Sequence, residues 1–390
     1  MLSATSAAEP SADEQLMLQL INRARANPAA EGQRLLAIAQ TDPTIRAALT
    51  GWDASAFLQQ INAHGPLPPL AFNTRLIAAA RAHDLAMVAA NAQMHTTPGS
   101  LARPSSPDQL APDGQPYYPT GDSYWTTAEN VFAYSGNLAD PHGKALDDYF
   151  HEAFLLDWGN PDFGHLRNLL LPGPSGSVAA GGYAISEIGI GIVYDTHPTA
   201  VPTPNPEIAA NRGLNVGPAL VTEEFGWRSG HEFLTGVVFN DHAGTGFYSP
   251  GEGLAGVTIS AVGLHGEGTF STQTWGSGGY ALDLPAGGYV VTASGGGLAS
   301  PRTTTIAIGA DNIGWDVAVP SAAPPPTTTT TTTTTAPVAA GGTVSTGSGR
   351  RIVIAAPANA PAATTVHPIR HGRNVHHQPH PKPPRWHRHR

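Results

Sequence analysis

The sequence predicts an α+β protein, with helices through its first half, a small all-β sandwich in its second and a disordered C-terminal tail. Three observations carry that expectation. Near the start, Met17, Leu20, Ile21 and Ala24 recur at i, i+3, i+4 and i+7, the spacing of one helical face. From Phe233 to Val319, short strand-like runs alternate with Gly- and Pro-rich turns. Beyond Pro324 the chain becomes low in complexity, with nine consecutive threonines from Thr327 to Thr335.

At 390 residues there is room for two ordinary domains plus tails. Hydrophobic residues make up 41%, enough for a sizeable core, while 44 glycines and 36 prolines favour turns over a long helical bundle. The absence of cysteine excludes a disulfide framework and thiolate metal sites. No stretch approaches the roughly 18 apolar residues of a membrane span, and no specific nucleic-acid motif is present. The start, Met1-Leu2-Ser3-Ala4-Thr5, has no recognisable signal peptide. The net charge of −9 is uneven: no Asp or Glu follows Asp316, and eight Lys or Arg fall in the last 41 residues.

Taken in order, Ser11-Ala12-Asp13-Glu14 reads as a capping box that opens the first helix. Asn27-Pro28 interrupts it, and a second helix is expected over Ala29 to Gln40. Asn73 is an N-cap for an alanine-rich helix from Thr74 to about Gln93, ending towards His95. Residues 96 to 124 read as an irregular excursion. Ala128-Glu129-Asn130-Val131 opens an ordered stretch, and Leu146, Tyr149, Phe150, Ala153 and Phe154 make one face of a helix whose opposite side carries Asp148 and Glu152. In Glu187 to Tyr194, isoleucines alternate with glycines, as in a strand closely approached by backbone on one face.

The order of these features is specific. A helix-terminal His95, then Glu129-Asn130-Val131, an amphipathic helix, Gly164-His165-Leu166-Arg167-Asn168-Leu169-Leu170 and the strand Ile188-Gly189-Ile190-Gly191 together resemble the CAP superfamily of cysteine-rich secretory, antigen 5 and pathogenesis-related proteins. The resemblance covers roughly residues 12–196. It implies a three-layer α-β-α sandwich, an extracellular or cell-surface location, and a cleft where two histidines and two acids converge. By motif, His95, Glu129 and His165 take three of those positions. Asp148 or Glu152 is the candidate fourth group, with Asp157 a weaker third choice. Two imidazoles and a carboxylate suit Zn²⁺ or another borderline divalent cation. The same groups suit acid–base chemistry or a structural hydrogen-bond network, and all three readings stay open. No Gly-x-Ser-x-Gly motif lies beside the set, and the spacing does not recommend Ser123 as a nucleophile. His83 reads as a packed or surface residue of its helix, and His151 as solvent-facing.

Residues 197–231 read as a Pro/Asn-rich linker. The strand runs of 232–319 are Leu234–Phe239, Val257–Val262, Thr269–Trp275, Tyr280–Leu284, Tyr289–Ser294 and Thr303–Ile308. Within them, the twelve residues from Asp241 to Glu252 place Asp, Gly and Glu at positions 1, 6 and 12 of a calcium loop. With Gly279-Tyr280-Ala281-Leu282, this is similar to the prealbumin-like B-type repeats of bacterial surface adhesins. Ala243 and Thr245 stand where oxygen donors belong. Asp241, Glu252 and the Phe247 carbonyl are left as a weak or absent Ca²⁺ site.

Residues 320–390 read as a Thr/Pro-rich stalk and a basic, His-rich tail suited to anionic polymers, loosely held transition metals or no fixed partner. The functional expectation is a non-enzymatic module that binds a metal or a small-molecule, lipid or glycan ligand. The alternative is a metal-dependent hydrolase acting on peptide or cell-wall material.

Overall fold

The computed structural model describes residues 8–49, 51–91, 93, 95, 124–134, 146–157, 160, 162–177, 184–194, 216 and 218–320. Ser123, the rest of the 96–123 excursion, most of the 197–231 linker, the stalk and the tail lie outside the described residues.

The expected capping box forms. Ser11 Oγ accepts from Glu14 N at 3.2 Å and Glu14 Oε2 accepts from Ser11 N at 2.7 Å, opening α1 (Ala12–Ala26). Asn27 ends α1 and, through its side chain, caps α2 (Pro28–Thr41). Two short helices follow, α3 (Pro43–Ala48) and α4 (Ala54–Asn62). Strand β1 (Ala71–Phe72) leads into α5 (Thr74–Ala90), capped by Asn73 as expected and closed by Asn91 in the left-handed region at φ 48°. Strand β2 (Tyr124–Tyr134) precedes α6 (Leu146–Leu156), α7 (Gly164–Leu169) and a single turn, α8 (Pro174–Ser177).

The first sheet has the order β1-β3-β4-β2, where β3 is Glu187–Tyr194 and β4 is Ala219–Arg228. Strand β4 corrects the sequence reading, which placed these residues in the linker. It runs antiparallel to both β3 and β2 and is covered on both faces. Its two adjacent glutamates disguise it, since a buried strand ordinarily reads as apolar.

Helix α5 lies on one face of this sheet. A Cβ on Gly189 would overlap the backbone of Leu76, and one on Gly191 would sit 2.6 Å from Arg81 N. The glycines are what let the helix come so close. On the other face, Phe132 meets Phe150 and Phe154 of α6 with ring centroids 5.7 and 6.2 Å apart, above Ile188, Ile190, Val221 and Phe225. Arg25 is wholly buried and braces α1: Nε donates to Pro68 O at 2.8 Å, and Nη1 to Leu169 O and Leu171 O at 2.8 and 2.9 Å.

The second half contains all six expected strands: β5 (Phe233–Asp241), β6 (Val257–Gly263), β7 (Thr269–Gln273), β8 (Gly279–Asp283), β9 (Gly287–Gly295) and β10 (Arg302–Ile308). One antiparallel sheet has the order β10-β9-β6-β7. The other centres on β5, paired with β8 and with two short strands, β11 (Ile313–Gly314) and β12 (Val317–Pro320). Between them lie Leu234, Val238, Ile259, Tyr280, Tyr289 and Val291.

The two halves belong to one compact unit. Leu16 and Leu20 of α1 pack with Val237, Phe239 and Tyr248 of the β-half. Asn312 Nδ2 donates to Ser186 O at 2.6 Å and to Pro69 O at 3.0 Å, closing the junction.

Candidate functional site

The site follows from strand register. In antiparallel strands, residues directly opposite share a face and their neighbours take the other. Glu129 of β2 pairs with Glu224 of β4, and Asn130 pairs with Glu223. Glu129 and Glu224 therefore face α5, while Asn130 and Glu223 face α7.

Above the α5 face, the glycines of β3 let His83 and Asp84 approach the sheet. His83, Glu129 and Glu224 are all buried, and one potential ligand atom from each lies within 4.8 Å of the others. His95 Nδ1 is 2.8 Å from Glu129 Oε1, and His83 Nδ1 is 3.7 Å from Glu129 Oε2. Asp84 Oδ1 accepts from Thr222 Oγ1 at 2.6 Å. Burial pushes the Asp84 carboxyl well above the usual range, against the Thr222 hydrogen bond and with help from the charges of Glu14 and Glu129.

On the opposite face, Asn130 Nδ2 donates to Glu223 Oε2 at 2.8 Å, and Asn168 Nδ2 donates to Asn130 Oδ1 at 2.8 Å. The Glu-Asn and Gly-His-x-x-Asn motifs are thus two ends of one hydrogen-bonded clamp. Burial raises the Glu223 carboxyl to about 8, although the Asn130 bond lowers it.

His165 opens α7 and turns to Asp157. Nδ1 is 2.7 Å from Asp157 Oδ1, and the His165 backbone N–H donates to Asp157 Oδ2 at 2.9 Å. The ring also packs on Phe154 at 5.2 Å between centroids. The acid that meets His165 is therefore Asp157, the third choice of the sequence reading. Glu152 faces Arg34, 3.7 Å away, and Asp148 lies half-buried in the first turn of α6.

Of the expected set, His95 and Glu129 come together as a pair. Sequence reasoning passed over His83 and Glu224. His83 lies on the buried stripe of α5 with Leu76, Ile77, Ala80, Asp84 and Met87, a periodicity legible in the sequence. Glu224 was hidden by the linker assignment. His151, expected in solvent, is fully buried, with Nε2 3.0 Å from Glu31 Oε1. It is drawn in because α6 is covered on nearly all sides, its polar residues Asp147 and Glu152 included, so no exposed face remains for an imidazole.

Neither protein-family models nor curated proteins give a match to this chain.

The 241–252 loop closes on itself. Asp241 Oδ1 and Oδ2 each accept a backbone N–H, from Thr245 and Gly246, both at 2.9 Å. Glu252 Oε1 and Oε2 accept from His242 N at 3.0 Å and Ser249 N at 2.9 Å. The Phe247 carbonyl accepts from Thr245 Oγ1 at 3.0 Å. Each group expected to hold Ca²⁺ already has a partner within the loop.

Proposed function

We propose that the chain is an extracytoplasmic CAP-type module, an α-β-α sandwich that binds a divalent cation, fused to a B-type-repeat-like β-sandwich that docks on it. The observation that carries this reading is the convergence of His83, Glu129 and Glu224 from three elements to within 4.8 Å. One imidazole and two carboxylates suit Zn²⁺ or a similar ion. Burying two carboxylates beside Asp84 is costly unless protons or a cation compensate them. His95, bonded to the other side of Glu129, would orient that ligand from the rim. The helices on both faces of the sheet support the sandwich assignment. The self-closed 241–252 loop supports a β-half that folds without Ca²⁺.

Metal analysis of the purified full chain, with Zn²⁺ titration by calorimetry, tests the reading. Stoichiometric Zn²⁺ is expected, lost in Glu129→Gln and weakened in His83→Ala. A wild-type protein that neither carries nor takes up Zn²⁺ would refute it.

A second reading, metal-dependent hydrolysis of peptide or cell-wall material, draws on His95, whose side chain is 37% exposed at the edge of the cluster. Three protein ligands would leave an open position for water, as in catalytic zinc sites. Zn²⁺-dependent turnover that disappears in His95→Ala would favour it over pure binding.

A further inference from the structure

A cavity lies at the junction of the two halves and shares none of its lining residues with the His83–Glu129–Glu224 cluster. Its volume is about 270 Å³. The apolar walls are Phe72 at the end of β1, Phe233 at the start of β5 and Trp275 after β7. Phe72 and Trp275 meet edge to face, 6.2 Å between centroids. Trp275 is only half-buried, so part of its indole faces the opening.

The floor is polar and already ordered. Arg228 grips Glu187 with two hydrogen bonds, Nε to Oε2 at 2.8 Å and Nη2 to Oε1 at 2.6 Å. Asn73 Nδ2 donates to the same Oε1 at 3.0 Å. Asn73 Oδ1 caps α5 by accepting from Arg75 N and Leu76 N. Helix cap and ion pair thus lock three planar polar groups together at the base of an aromatic slot.

We propose that this cavity binds one sugar ring of a glycan. The C–H face of a pyranose is flat and apolar and stacks on an indole, as other amphipathic rings do. Its edge presents hydroxyls, each both a donor and an acceptor. The floor offers both kinds of partner side by side. Glu187 is buried beneath this floor, while Asn73 and Thr74 are half-buried at the lining, where an amide NH₂ can donate twice and a hydroxyl both donates and accepts. Arg75 joins Arg228 and Glu187 in the lining, so the cavity carries two guanidinium groups and one carboxylate. A few fixed polar groups in an aromatic-walled slot at a domain junction are the usual makings of a small-molecule site, and pre-ordering them lowers the entropy lost on binding.

The test uses the full chain and a set of named probes: glucose, N-acetylglucosamine, galactose and mannose, with their β-linked disaccharides. Binding is followed by tryptophan fluorescence and by calorimetry. Saturable binding of at least one probe at millimolar concentration is expected. Trp275→Ala should weaken it at least tenfold, the equivalent of about 1.4 kcal/mol. Thr74→Tyr, which fills the cavity from a half-buried rim position, should abolish binding while leaving the melting temperature unchanged. His83→Ala should bind the sugar as the wild type does, separating this site from the cation cluster. The proposal is overturned if no probe binds, or if binding survives Thr74→Tyr. Tighter binding of benzoate than of any sugar would point to an aromatic-acid pocket and would equally overturn it.

Discussion

Asp157 holds His165 by side chain and backbone together, with one carboxylate oxygen 2.7 Å from Nδ1 and the other 2.9 Å from the backbone N–H. Asp157 itself sits in the left-handed region at φ 52°, a conformation that Asp and Asn tolerate better than most residues. Asp157→Ala loses both the acceptor and this conformational tolerance and is expected to cost about 1–3 kcal/mol. Asp157→Asn keeps one oxygen and the backbone preference and should cost less. Denaturant midpoints of the two variants check the order; equal losses would contradict it.

Glu223 supplies an alkaline limb to stability. Burial raises its folded pKa to about 8 from an ordinary 4.5. Between those values the folded state holds a proton that the unfolded state releases, so stability falls as pH rises from about 4.5 to 8. Asp147, raised by burial to about 7, acts in the same direction. Glu223→Gln should flatten the slope and gain on the order of 1–3 kcal/mol at alkaline pH. Melting curves across the pH range check it, and an unchanged slope would count against the buried neutral acid.

Glu31 supplies the opposite limb. Burial alone would raise its pKa, but His151, Arg34 and Arg23 outweigh that and hold the carboxyl below the usual range. Its contribution is present above the unfolded pKa and is lost as pH falls through the folded one. His151, lowered by burial against the pull of Glu31, adds to the loss because the unfolded chain takes up a proton first. Glu31→Gln leaves one side of this buried network uncompensated and should cost about 3 kcal/mol near neutrality. It should also shallow the acid limb, as read by unfolding at successive pH values.

Gly189→Ala should be among the more damaging single-methyl additions, because the new Cβ meets the backbone of α5, which no rotamer change can relieve. A loss of about 1–3 kcal/mol or more is expected. Since the same approach positions His83, any Zn²⁺ binding at the proposed cluster should weaken with stability. Retained stability would mean the helix can lift off the sheet at little cost.

Added Ca²⁺ should leave the melting temperature of the full chain unchanged, because Asp241 and Glu252 already accept four backbone N–H groups. A rise of several degrees would show that the ion displaces these bonds and stabilises by linkage.

Much of the architecture was legible along the chain. The capping box at Ser11, the Asn73 cap, the Gly-x-Gly strand and the six strands of the β-half all depend on short-range patterns that residues carry locally. The strand Ala219–Arg228 was included in the Pro/Asn-rich linker, whereas it pairs on both sides and its glutamates point to α5 on one face and α7 on the other.

The sequence alone determined which residue types were available: histidines and carboxylates in motifs, no thiols, and glycines where a helix needed to approach. Only the tertiary structure decided how they combined. Glu129 meets His83 and Glu224 because strand register sets which side chains share a face, and His165 takes Asp157 because the turn between α6 and α7 brings that carboxylate to the imidazole. Local pattern specifies the elements. Pairing partners are set by contacts between residues far apart in the chain, and those contacts exist only once the sheet has closed.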